Sequence, residues 1–403
     1  MSNVATAPVR AWRNALFLVF TLCGMGLASW MARGPSVREA LGIDTAQYGL
    51  LIVCFSIGSI VGLLAAGHLG TAFGAKRVIR YALPIGSIGF VVAGCSVALA
   101  PDPFVVAAGL AFFGLSASIV DVNMNISGAA NERALGRTIM PIYHAFFSGG
   151  AVLGAGIGAV AELIDLSFAA HVLIVGGLLA GGAVLSSFFL LPENQALSGG
   201  ELPEDEAKPS LGERLAMWRD PTTLLIGLIV LGMAFAEGTA NDWLAIAMVD
   251  GHDVDETTGA IALAVFVGSM TVGRVAGVRI LDRFGRIPVL RGSAVLAVVG
   301  LGAVILVDSP VVAMIGVVLW GLGSALGFPV GMSAAADDPR TAAARVSVVA
   351  TVGYCAFLVG PPLIGFLGHE IGVRWALAVA LVLIVVAGLC SGAARERSAA
   401  RAS

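Results

Sequence analysis

Apolar runs long enough to cross a bilayer recur twelve times in this chain. They lie at 12–32, 47–69, 78–100, 103–128, 138–161, 168–191, 222–248, 257–281, 288–307, 309–336, 343–368 and 370–393. Roughly 20 apolar residues carry a helix across the hydrocarbon, where each backbone N–H and C=O must be satisfied inside the helix. An all-α membrane protein of twelve transmembrane helices is therefore expected. The composition agrees, with 58% hydrophobic and 12% charged residues, against about 25% charged in soluble domains. The first run follows Arg10 and Arg13 but outlasts the ~7–15 residues of a signal-peptide core, so it reads as a span.

The basic residues orient these spans. With both termini in the cytoplasm, Arg10, Arg13, Lys76, Arg77, Arg80, Arg133, Arg137, Arg279, Arg283, Arg286, Arg291, Arg340, Arg345 and the tail arginines face inward. Only Arg33, Arg38 and Arg374 face outward, the bias that sets membrane topology. A net charge of −3, with Lys and Arg in short clusters, gives no case for nucleic acid as a partner. The cysteines (Cys23, Cys54, Cys95, Cys355, Cys390) sit in apolar runs without ligand spacing and read as packing residues. There is no phosphate loop, no HExxH and no nucleophile–base pair. An enzyme is not expected, nor a cofactor or a metal, and any pumping must draw on an ion gradient.

The long polar stretch Pro192 to Asp220 reads as a cytoplasmic linker. It separates an N-terminal six-helix bundle (1–191) from a C-terminal one (222–403), with the linker at 192–221. The halves repeat each other. Tyr143-His144-Ala145-Phe146 with Gly149 and Gly154 recurs 211 positions later as Tyr354-Cys355-Ala356-Phe357 with Gly360 and Gly365. Gly114-Leu115 and Arg133 recur at an offset of 207, and Ser29-Trp30 lies opposite Asp242-Trp243 at 213. Two pseudo-symmetric six-helix bundles enclosing a midplane site are a transporter design.

Span four carries "LSASIVDVNMN", an aspartate and two asparagines inside an apolar run. At about 100° per residue, Asp121 and Asn125 share one helical face and Asn123 points away. Glu237 and Asn241 repeat this spacing on span seven. A carboxylate beside an amide suits a small polar solute, and a polar clamp between helices is the alternative. Asp121 and His144, each on the order of 10 Å from the cytoplasmic end of its span, are expected to form a proton-sensitive pair. Glu237 joins them as a proton-coupling candidate and also as a solute ligand with Asn125 and Asn241. Trp30 and Tyr143 are candidate stacking surfaces or packing residues. Arg274 reads as a snorkelling or ion-paired residue or as a cavity charge, and Asp242 as a gate or a solvated acid.

Between spans eight and nine, "LDRFGR" (Leu281 to Arg286) fits a cytoplasmic-loop signature. In the first-half loop "GHLGTAFGAKR", Gly67, Leu69, Gly74, Lys76 and Arg77 fit, while Thr71 and Ala72 replace the expected Asp-Arg. In these motifs the whole chain resembles the major facilitator superfamily. The resemblance implies that fold, secondary transport by alternating access, and gating by Asp282, Arg283, Gly285 and Arg286, with Gly74 and Arg274 beside them. "DVNMN", "MPIYHAFFSGG" and "AEGTANDW" are similar to a fucose-permease-related branch of bacterial inner-membrane proteins. There an acid on span one and another on span four serve proton coupling and substrate binding. Asp121 matches the second, and span one has no acid. Gly150, Gly154, Gly156 and Gly158 partly imitate a span-five motif of drug–proton antiporters, yet span four lacks that branch's arginine.

The resulting expectation is a monomeric, multi-pass inner-membrane symporter. It moves a small polar organic solute, sugar- or polyol-like, with protons. Proton-antiport efflux of a drug or metabolite is the alternative, and a non-transporting sensor with the same fold is a reading of another class.

Overall fold

The computed structural model describes residues 7–136, 139–192, 216–337 and 341–395. Among them are twelve apolar helical spans and no strand. The spans are Ala7–Met31, Thr45–Phe73, Ala75–Leu99, Pro103–Leu135, Ile142–Leu163, Phe168–Ser187, Pro221–His252, Glu256–Gly277, Arg286–Leu306, Pro310–Ala335, Arg345–Ile371 and Val373–Ala394. Their ends shift by a few residues from the hydropathy boundaries, since caps rather than hydropathy set where a helix begins. Most of the 192–221 linker, Arg137, Arg340 and the tail arginines beyond Arg395 lie outside the described residues.

Several spans begin at a side-chain cap. Asp102 accepts the Phe104 N–H at 2.8 Å with Pro103 behind it, and Asp220 accepts the Thr223 N–H at 3.0 Å with Pro221 behind it. Both pairs satisfy orphan donors and place proline where its missing N–H costs nothing. Asp44 and Gln47 close a reciprocal capping box at the start of span two. A short helix that hydropathy did not show, Gly34–Leu41, sits between spans one and two and ends at Gly42, φ +61°.

By contacts the chain divides into two compact units, Met1–Glu204 with Glu256–Ala264, and Asp205–Asp255 with Val265–Ser403. Each unit repeats the other's packing devices. A Cβ on Gly89 would collide with the carbonyl oxygen of Gly109, where spans three and four cross. In the second unit a Cβ on Gly300 would collide with that of Gly316, where spans nine and ten cross. These positions differ by 211 and 207, the offsets of the sequence repeat. Gly74 and Gly285 also match at 211. Both hold positive φ, +79° and +76°, and donate their N–H to Gly70 and Leu281 at 2.9 and 2.8 Å. Only glycine adopts that backbone readily, so each half turns its span-two-to-three or span-eight-to-nine loop alike.

Span ten is two helices, Pro310–Ser324 and Gly327–Ala335. Pro329 lies in the first turn after the break. Pro329 has no N–H to give the carbonyl four residues back, which is that of Ala325. This carbonyl takes a different donor, as described below.

Candidate functional site

The polar triplet of span four divides its labour along helix faces. Asn123 is fully buried and donates to the Ala66 carbonyl of span two at 3.2 Å and to the Ile119 carbonyl at 2.8 Å. Gly70 makes room for its Oδ1, because a Cβ there would sit 2.5 Å from that oxygen. Asn123 is thus the polar clamp. Asp121 is exposed and Asn125 half-buried on the other face. Asn125 Nδ2 donates to the Asp121 carbonyl at 2.8 Å and lies 3.5 Å from its carboxylate Oδ1. The amide therefore turns back on its own helix beside the acid. Asp121 is also within electrostatic reach of Cys23 on span one.

His144 is exposed on span five, with Phe20 of span one against its ring, edge to face at 5.5 Å. Its neighbour Tyr143 is fully buried. The phenol donates to Asn131 Oδ1 at 2.7 Å, and the ring stacks on Phe20 at 5.3 Å. Trp30 is buried between Phe90 and Phe168, at 5.8 and 5.3 Å. Of the two readings for Tyr143 and Trp30, solute-stacking surfaces or packing residues, their burial in the first unit fits packing. An aromatic ring on an apolar span gains more area by burial among other rings than at a wet surface.

Just past the end of span one in the same unit, Arg33 pairs with Glu162 at 2.5 Å, both nearly buried, and donates to the Leu166 carbonyl at 3.0 Å. Its guanidinium lies over the Phe168 ring at 5.0 Å. Ser36 bonds to Glu162 and lies 2.8 Å from Glu256 Oε2. Sequence had used Arg33 only as a topology marker. No periodicity signals a pair whose partners lie 129 positions apart.

In the second unit, Glu237 of span seven meets Arg274 of span eight. Arg274 Nη2 reaches both carboxylate oxygens, at 3.0 and 3.1 Å. Its Nε donates at 3.4 Å to the Ala325 carbonyl that Pro329 leaves open. Of the readings for Arg274, the ion pair is the one that forms, which is how intramembrane charge is ordinarily tolerated. Asn241 and Asp242 are half-buried one turn further along span seven, and neither side chain makes a hydrogen bond to the described residues. Buried Ser324 Oγ, adjacent to Ala325, also lacks a partner among them.

At the loop after span eight, Arg286 Nη1 pairs with Asp337 at 2.5 Å and Nη2 donates to Ser333 at 3.0 Å. Asp282 and Arg283 are exposed, and Asp282 has no ion-pair partner among the described residues. Of the residues expected to gate, Arg286 is the one that forms an ion pair here, with an acid just past the end of span ten that sequence did not single out. Arg345 similarly donates to Thr223 at 3.0 Å and pairs with Asp220 at 3.2 Å. Burial works against the ionised Asp220. Hydrogen bonds from the Thr223 hydroxyl and N–H, with the Arg345 charge, more than offset it and hold the carboxyl below the usual carboxylate range.

A membrane chain whose halves repeat, with acids seated inside its spans, has the anatomy of a secondary transporter. The family model described as Major Facilitator Superfamily matches residues 15–277 and 238–402. The chain belongs to the major facilitator superfamily. It is 31% identical to an uncharacterized MFS-type transporter of Yersinia pestis, over 92% of each chain. A 2-nitroimidazole transporter of Escherichia coli is 24% identical over 90% of each chain. The 3-(3-hydroxy-phenyl)propionate transporter of Escherichia coli is 25% identical over 64% of this chain and 62% of its own. In fold the chain is similar to the nucleoside transporter NupG, with TM-score 0.72 and 15% identity over 96% of this chain and 98% of that one. It is also similar to the fucose–proton symporter FucP of E. coli, with TM-score 0.59 and 14% identity over 95% and 98%. These relatives and neighbours are transporters, not enzymes.

Proposed function

We propose that this transporter is proton-coupled and moves a small polar organic solute, sugar- or polyol-like, across the inner membrane by alternating access. It works as a monomer with both termini in the cytoplasm. One observation carries the reading: Asp121 stands exposed on span four with the Asn125 amide beside it, in a segment where an uncompensated charge is costly. Asp121 carries the coupling proton with His144 as its partner, while Asn125, Asn241 and Glu237 bind solute.

The alternative is proton-antiport efflux of a drug or metabolite. The names of two relatives, a 2-nitroimidazole transporter and a 3-(3-hydroxy-phenyl)propionate transporter, favour aromatic solutes for it. A thermal-shift screen of sugars, polyols, amino acids and drugs on purified protein finds the solute. Counterflow in proteoliposomes then tests transport, and an inward proton gradient tests direction. Symport predicts that the gradient loads the vesicles with solute. Emptying them would establish antiport, and binding without flux would make the chain a sensor.

A further inference from the structure

We infer that Arg274 and Glu237 form an exchangeable pair: the carboxylate of an organic acid replaces Glu237 on Arg274, and the displaced Glu237 takes up one proton. This rests on the transport reading above and narrows its solute to one that carries a carboxylate and hydroxyl groups.

The geometry favours exchange over a fixed strut. Both oxygens of Glu237 converge on the single nitrogen Nη2, whereas a carboxylate gripped by a two-nitrogen fork is held more firmly. The side chains of Arg274 and Glu237 keep 34% and 19% of their surface open, so the pair can be reached. The guanidinium is positioned independently of Glu237, because Nε also holds the Ala325 carbonyl at the break in span ten. Arg274 would therefore keep its place when Glu237 leaves. One turn from Glu237 on the same face, the Asn241 amide makes no hydrogen bond to the described residues and can take a hydroxyl of the same solute. Beside Ala325, the orphaned Ser324 Oγ is a further buried hydroxyl without a protein acceptor.

Charge balance supplies the proton. Arginine with glutamate is neutral, and an entering carboxylate would leave one uncompensated negative charge within the membrane, which is costly. A proton on the displaced Glu237 restores neutrality, so one proton accompanies each carboxylate. It is additional to the proton proposed for Asp121 in the other unit. The charged side chain facing Glu237 is Arg274, and Asp242 is the nearest titratable group on its own helix. Span seven packs on spans ten, eleven and twelve. Their titratable side chains are Arg345, Tyr354, Cys355, His369 and Glu370 on span eleven and Arg374 and Cys390 on span twelve. His369 and Glu370 lie in the last turn of span eleven, so the Glu237→Gln variant is what assigns the pH dependence to Glu237.

The test measures equilibrium binding to the purified full-length protein by thermal shift. The probes are two acids with their neutral counterparts: gluconate against sorbitol, and 4-hydroxybenzoate against 4-hydroxybenzamide. Both acids are ionised above about pH 5. One acid, sugar-derived or aromatic, should bind at least about tenfold more tightly than its counterpart. Its affinity should rise as pH falls from 7.5 to 6, by at most about tenfold per unit for one proton. Glu237→Gln should bind it more tightly at pH 7.5 and lose the pH dependence. The neutral pair Glu237→Gln/Arg274→Gln, which leaves no lone charge to unfold the bundle, should lose acid binding with its melting midpoint preserved. Acid binding that survives in the double variant, or a wild-type pH slope in Glu237→Gln, overturns the exchange. Binding of neither acid overturns it too. Sorbitol binding and flux without any acid response would overturn the exchange while leaving the transport reading intact.

Discussion

Asp121 and Asn123 stand two residues apart on one helix and face opposite fates. The helical period separates them, and that much was readable from sequence because 100° per residue fixes which side chains share a face. Asn123→Ala should lower stability by about 1 kcal/mol, the usual size of an interhelical polar contact in a membrane. Thermal denaturation would show it, with solute affinity unchanged. Asp121→Asn should shift the same midpoint by less than about 0.5 kcal/mol, as at a site without buried partners. The partners of Tyr143 and Trp30 were not readable, since a tyrosine on an apolar span gives no hint whether it meets solute or Asn131. Asp220 was legible as a linker residue but not as a cap bound by Arg345. Its carboxyl is held below its ordinary range in the fold. The stability it contributes is therefore present above about pH 4 and lost as pH falls through its lower folded value. Asp220→Asn should be less stable than wild type by a constant margin between pH 7 and 5. That gap should close only under stronger acid, as seen in melts across pH.

At the scale of elements, hydropathy placed all twelve spans because length and apolarity are dictated by the bilayer. It did not show the short helix Gly34–Leu41, which is set by local turn chemistry, nor the break in span ten. Pro329 was visible in the sequence, but proline inside a span need not break it. Pro84 lies within an unbroken span three, and Pro361 and Pro362 within span eleven. At span ten an arginine of a neighbouring helix donates to the freed carbonyl. Glycine roles also depend on the partner helix. Gly89→Val or Gly300→Val should each cost about 1–3 kcal/mol or more, because backbone rather than a movable side chain fills the space. Gly156→Ala, with open space around it, should be neutral. Melting of the three variants side by side is the check.

Across the whole molecule, the repeat at offsets of 207 to 211 extends from sequence into packing. The glycine crossings and the positive-φ loop turns recur in both halves. The polar chemistry does not. Span four holds an acid beside an amide, and span seven holds an acid paired with the arginine of span eight. Tyr143 is sealed against Asn131, while its repeat Tyr354 is 47% exposed. Backbone packing constrains both halves equally, whereas each solute- or proton-handling side chain answers only to its own surroundings, so the repeat reveals the scaffold and not the site. The most direct test of proton coupling through Asp121 uses proteoliposomes containing a pH-sensitive dye and the solute found by the thermal-shift screen. Solute entry should acidify the lumen with wild-type protein. With Asp121→Asn that acidification should vanish while counterflow of the same solute continues. Equal acidification by Asp121→Asn, or wild-type solute entry with no movement of protons, would contradict it.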